Sequence, residues 1–319
     1  MSGWFVEIWG DGLTYSEREA LVKYFLIDDS GTWNELHIGN GVYSLDEVSA
    51  LDRTRVNVTG HYSPNAIFVV SDIAPDRMNP KVNPNPQLVA KPEAVVGTKK
   101  FVTILCRFAD SPSEPPVPPS YYSGLMSNTY PGLDHYWREA SYGTINLGGS
   151  IVVGWYRLPN PKSYYVYDAN GDGIPDLDFF RLTEGAATVA DPDVFFPEFF
   201  GVNFVYEDDT VRIANGGGTF LTKDGVSQLY GSTWINTGPG ALHQTLFAHE
   251  MGHAFGLPHS SGSYGQIYDS RWDVMSIGYG FTDQPMFGLA PALSRITKTY
   301  WGGFNRTVST SLAEVQIPL

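Results

Sequence analysis

Eleven residues in the last third of the chain restrict its fold more than any other segment: His249-Glu250-Met251-Gly252-His253-Ala254-Phe255-Gly256-Leu257-Pro258-His259. On a helix, residues four apart share a face, so His249 and His253 can aim both imidazoles at one point. Glu250 sits one position round the turn, where it reaches the neighbourhood of that point without being a ligand. Gly256 can take φ > 0, end the helix and turn the chain sharply, and Pro258 keeps the helix from resuming. That turn brings His259 back as a third ligand. Three of the chain's seven histidines fall in this one segment. Three neutral imidazoles on one tetrahedral ion leave a fourth position open, as a catalytic zinc site requires. A chance match to H-E-x-x-H on an ordinary amphipathic helix is the competing reading, and the added glycine and third histidine weigh against it.

Charge and composition narrow the partners. The 319 residues carry 34 acidic and 20 basic side chains, a formal charge of −14, which disfavours nucleic acid or an anionic membrane. A hydrophobic fraction of 42% with 14% aromatics excludes global disorder. Thirty-four glycines and 22 prolines favour strands joined by loops over a helical bundle. Cys106 is the single cysteine, so no intrachain disulfide or cysteine-based zinc finger is possible. Its setting, Val102-Thr103-Ile104-Leu105-Cys106-Arg107-Phe108, reads as a core strand holding an inert thiol; a thiol that blocks the metal is the alternative. No run of 18 apolar residues exists, so no membrane span is expected. The start, Met1-Ser2-Gly3-Trp4, lacks a basic region followed by an apolar run. A secreted protein would therefore have lost its signal peptide already.

Residues 1–75 read as a small all-β domain, with strands over 4–9, 20–27, 55–61 and 66–71. Arg55-Val56-Asn57-Val58-Thr59-Gly60 resembles a strand of OB-type barrels. Such barrels often bind oligonucleotides, but the acidity favours an accessory or pro-domain here. Residues 76–100 form a proline-rich linker. Residues 101–305 alternate strands and helices, an α/β or α+β pattern. Strands are expected over 101–108, 151–156, 204–213 and 231–235, and helices over 133–141, 178–189 and 241–255. Residues 306–319 read as a last strand or the start of a further domain.

Sixteen residues past His259, Asp273-Val274-Met275-Ser276 offers a methionine turn beneath the metal, although a lone methionine such as Met275 is more often an ordinary core residue. The histidine segment with this turn resembles the metzincin zinc peptidases. Within them the chain is most similar to the immune-inhibitor-A-like peptidases of bacteria. That likeness rests on 101–110, Tyr136-Trp137-Arg138-Glu139-Ala140-Ser141-Tyr142-Gly143, Gly154-Trp155-Tyr156-Arg157-Leu158-Pro159 and Trp272-Asp273-Val274-Met275-Ser276, within roughly residues 99–305. The resemblance implies a twisted mixed sheet with an active-site helix, one catalytic Zn²⁺ and hydrolysis of peptide bonds. It casts Glu250 as general base and acid, Gly256 and Met275 as structural residues, and protein or peptide as substrate. It also implies a secreted, monomeric enzyme. Tyr279 is the candidate phenol for the oxyanion; a partly buried aromatic in a Gly-rich turn is the alternative. An extended substrate would pair with an exposed sheet edge somewhere in residues 218–234.

A second metal is expected at Asp168-Ala169-Asn170-Gly171-Asp172-Gly173-Ile174-Pro175-Asp176-Leu177-Asp178. Oxygen ligands at Asp168, Asn170 and Asp172, with the Ile174 carbonyl, match a calcium loop. Phe179 stands where that loop carries an acid, so Asp176 and Asp178 would complete the shell for a structural Ca²⁺. A solvated acidic turn is the alternative reading.

Overall fold

Arg55–Tyr62 opens with alternating polar and apolar residues, and Val56 and Val58 are buried while Asn57 between them is exposed, as a strand with one face on a core requires. The computed structural model describes residues 1–12, 21–39, 42–64, 67–76, 95–111, 117–169, 171, 173, 175–207, 213–237, 244–260 and 273–276. The first part comprises β1 (Ser2–Gly12), β2 (Leu21–Ile27), β3 (Trp33–Ile38), α1 (Leu45–Ser49), β4 (Arg55–Tyr62) and β5 (Phe68–Pro75). There follow β6 (Gly97–Thr98), β7 (Phe101–Arg107), α2 (Pro119–Leu125), α3 (Leu133–Ala140), β8 (Ile145–Asn146), β9 (Ile151–Arg157) and α4 (Lys162–Tyr165). The remainder is β10 (Val166–Tyr167), β11 (Asp176–Leu177), α5 (Phe179–Ala190), β12 (Gly201–Tyr206), β13 (Ile213–Lys223), β14 (Val226–Asn236) and α6 (Gln244–Ala254).

The first five strands close on themselves in the order β1-β2-β3-β5-β4-β1, with β3 and β5 parallel and the other pairs antiparallel. The small barrel expected from the sequence is therefore present. Its core holds Phe5, Leu26, Leu36, Val48, Val56, Val58, Phe68, Val70 and Ile73. The sequence reading missed β3 and α1, which are short and carry no long periodic pattern.

The same sheet continues from β1 through β13, β14, β12 and β7 to β9. Strands β7, β12, β14 and β9 run parallel along their shared ladders, and β13 runs antiparallel to both β1 and β14. Helices cover both faces, so β12 is buried at every residue, as an interior parallel strand must be. Val102, Ile104 and Cys106 point to the face packed by α5, while Phe101 and Leu105 point to the face packed by α3 and α6. Cys106 is indeed buried in the core, and burial raises its thiol pKa far above the ordinary range.

One correction concerns the strand expected over 204–213. The structure breaks it into β12, ending at Tyr206, and β13, starting at Ile213. Glu207-Asp208-Asp209 follows Tyr206, and charge repulsion with turn-forming aspartates favours leaving the sheet there. The residues between 207 and 213 lie outside the described set.

Candidate metal centre

Helix α6 carries the first two histidines and is buried along its whole length. It lies directly against β13 and β14. A Cβ added at Gly216 would stand 2.2 Å from the Glu250 carbonyl oxygen and 2.8 Å from the His253 Cβ, so glycine there admits the helix. The helix ends as the sequence predicts. Gly256 has φ +92°, its N–H donates to the His253 carbonyl (2.8 Å), and the Leu257 N–H donates to the Gly252 carbonyl (2.9 Å). That pair of bonds is the Schellman pattern.

The turn delivers His259 to the other two rings. The Nε2 atoms stand 3.0 Å apart for His249 and His253, 3.1 Å for His253 and His259, and 3.2 Å for His259 and His249. Among the described residues this is the only group of three or more His, Cys, Asp or Glu side chains with ligand atoms so close together. Backbone carbonyls set the tautomers. His253 Nδ1 lies 2.6 Å from the Leu257 oxygen, inside the turn that ends its own helix. His249 Nδ1 meets the Val274 oxygen. An Nδ1–H donating to each carbonyl leaves the Nε2 lone pairs unprotonated and converging. Lone pairs this close repel one another, and a cation between them relieves that repulsion. The three histidines can therefore hold a metal ion.

Met275 packs against the helix that carries His249 and His253. It is fully buried, and a Cβ added at Gly252 would fall 2.2 Å from its sulfur, so the thioether lies flush against α6. Its backbone is tied to the site as well. Asp273 Oδ1 accepts the Met275 N–H (2.9 Å), and the Met275 carbonyl accepts the Ser260 N–H (3.0 Å). The turn at 273–276 thus orients His249 through Val274 and anchors the chain just past His259. Glu250 is fully buried on α6, one residue after His249. Tyr279 lies outside the described residues.

Two residues that no motif flags complete the surroundings. The Trp9 ring stacks on His253 (centroids 5.4 Å apart, planes 5° apart) and meets His259 edge-on at 5.0 Å. Arg53 Nη1 donates to the Ala254 carbonyl (2.7 Å), and its Nη2 donates to the carbonyls of His253 (2.8 Å) and Gly217 (3.2 Å). Asp52 lies 3.1 Å from Arg53 Nε and accepts the Glu7 N–H (3.0 Å). The Glu7 carboxylate accepts from Ser49 Oγ at 3.1 Å and from the Trp9 indole. Burial pushes the Glu7 carboxyl well above the usual carboxylate range, and the Asp52 charge adds to this. Burial likewise raises Asp52, with Arg53 opposing.

The edge expected within 218–234 falls partly on residues 218–223 of β13, which pair with β14 on one side, while the ladder with β1 on the other side ends at Gly217. Strand β14 is interior, flanked by β13 and β12. Beside the histidines the outer edge of β13 is already paired, with Trp9 opposite Gly216 and Gly10 opposite Asn215. Strand β1 is long enough to leave the barrel and extend the sheet along 213–217 of β13.

The acidic loop at 168–178 is described in part, since Asn170, Asp172 and Ile174 lie outside the described residues. Asp168 accepts the N–H groups of Gly171 (2.6 Å) and Gly173 (2.9 Å), which have φ of +83° and +84°. Asp176 pairs with Lys23 at 3.6 Å. Asp178 caps α5 through the Arg181 N–H and accepts from the Tyr167 hydroxyl. The three described carboxylates do not converge on one point as the histidines do.

No family model matches the chain, and no curated protein is similar to it.

Proposed function

We propose that the chain is a zinc-dependent endopeptidase of the metzincin kind, secreted and acting on protein or peptide substrates as a monomer. One observation carries this reading: three Nε2 atoms 3.0–3.2 Å apart, two of them on rings oriented by backbone carbonyls. Tetrahedral zinc with Zn–N bonds of about 2.0–2.1 Å asks for nitrogens about 3.3 Å apart, and the triad needs only a small expansion to meet that. Zinc bound there would act as a Lewis acid on a scissile carbonyl and lower the pKa of water toward about 7. A Glu250 carboxylate oxygen accepts the proton of the attacking water and delivers it to the departing amine nitrogen. Tyr279 remains the proposed donor to the developing oxyanion. The barrel is read as OB-like, and a structural Ca²⁺ in the loop at 168–178 completes the proposal. Replacing Glu250 with Ala should reduce hydrolysis of a general protein substrate by roughly 10²–10⁴-fold while zinc stays bound. Equal activity in that variant would overturn the mechanism.

A second reading, a latent form of the same enzyme, is favoured by β1. Extended peptides bind by adding a strand to a free sheet edge, and the edge of β13 nearest the histidines is filled by the chain's own N-terminal strand. Activity measured before and after proteolytic cleavage within residues 76–100 tests it. A rise after cleavage is the expected sign of latency, and unchanged activity rejects it.

A further inference from the structure

The metal ligands are held from two directions, and one of them lies about 200 residues away in sequence. The Schellman turn and the 273–276 turn are local to the site, whereas Trp9 and Arg53 come from the barrel. Arg53 is 7% exposed and Trp9 5% exposed, so neither serves as a surface contact. The Arg53 guanidinium spans the last two carbonyls of α6 and a carbonyl of β13, a three-point clamp that fixes where the helix ends on the sheet. A cation at a helix C-terminus also complements the negative end of the helix dipole. The Trp9 indole lies flat along the His253 ring and meets the edge of His259, and its N–H is spent on buried Glu7. The indole is thereby locked, and it limits how far two of the three ligand rings can rotate.

We propose that the N-terminal barrel is a permanent part of the metal centre, with Trp9 and Arg53 as positioning residues for His253 and His259. This rests on the reading of the triad as a metal site. It gives the barrel a task opposite to that of a removable plug: losing it would loosen the ligands rather than free them.

Full-length protein carrying Trp9→Leu, Trp9→Phe or Arg53→Met is titrated with Zn²⁺ against a competing chelator, and with Co²⁺ while its visible absorption is recorded. Far-UV circular dichroism and melting of the chelated proteins confirm that each variant is folded. Supporting partners of metal ligands are typically worth 10–100-fold in affinity, so Trp9→Leu and Arg53→Met should weaken Zn²⁺ binding by roughly that factor and alter the Co²⁺ bands. Trp9→Phe, which keeps an aromatic face, should lose less than Trp9→Leu. If Arg53→Met does not fold, Trp9→Leu decides, because it leaves every Arg53 contact in place. Wild-type affinity and an unchanged Co²⁺ spectrum in a folded Trp9→Leu protein would overturn the positioning role. Failure of the wild-type protein to bind either ion would instead overturn the metal site, and this inference with it.

Discussion

Glu7 shows how a single buried acid can link two parts of the molecule at a cost. Glu7 is 3% exposed, lies beside Asp52, and its carboxyl accepts from the Trp9 indole. Because its folded pKa is raised, the folded chain binds more protons than the unfolded chain between the ordinary Glu value of about 4.3 and the raised one. Stability from this group is fully present below that ordinary value and is lost as pH rises through the folded one. Glutamine at this position still accepts from the indole and from Ser49, but it cannot ionise. Glu7→Gln should therefore melt at a higher temperature than wild type at neutral pH, with the gap closing as pH falls toward 4. Melting curves across that range check it; a gap independent of pH would mean that ionisation of Glu7 is not what costs stability.

The elements differ in how far the sequence revealed them, and the difference follows the range of the forces involved. Helix α6 and its Gly256 turn were legible because each rests on bonds spanning five residues or fewer, whereas the return of His259 showed only in its spacing and is also held by the bond from Ser260 to Met275. The boundary between β12 and β13 was less so, since an apolar run continues up to Tyr206 and only the acids after it mark a turn. Trp9 and Arg53 were not legible at all. Trp9 reads as one more apolar residue of a strand, and Arg53 as a loop cation, until tertiary packing sets them against residues 253 and 254. The loop at 168–178 lies between these cases. Its spacing fits calcium, yet Asp176 and Asp178 are engaged by Lys23, Arg181 and Tyr167. If Ca²⁺ binds, a calcium-selective chelator should lower the melting temperature, because an ion bound only by the folded state stabilises it by mass action. No shift on chelation would leave the aspartates as a cap and two ion pairs.

At the scale of the whole molecule, β1 joins the barrel to the rest of the sheet. Phe5 points into the barrel core, while Trp4, Val6 and Ile8 on the other face join the core between the sheet and α5. The strand pairs with β2 and β4 inside the barrel and with β13 outside it. The barrel therefore cannot open without exposing apolar surface of the larger part, and the Arg53 clamp would be lost with it. A proline-rich linker between residues 76 and 100 would by itself suggest two independent units; the shared strand argues for one. Leu36→Ala removes buried methyl groups from the barrel core alone, at a cost of about 2–5 kcal/mol. In denaturant, this substitution should lower the unfolding midpoint seen by tryptophan fluorescence and the midpoint for release of bound metal by the same amount. If the fluorescence transition splits in two and metal release stays at the wild-type midpoint, the barrel unfolds on its own and the coupling through β1 is too weak to matter. Coincident shifts would show that the stability of the first 75 residues is also the stability of the histidine site.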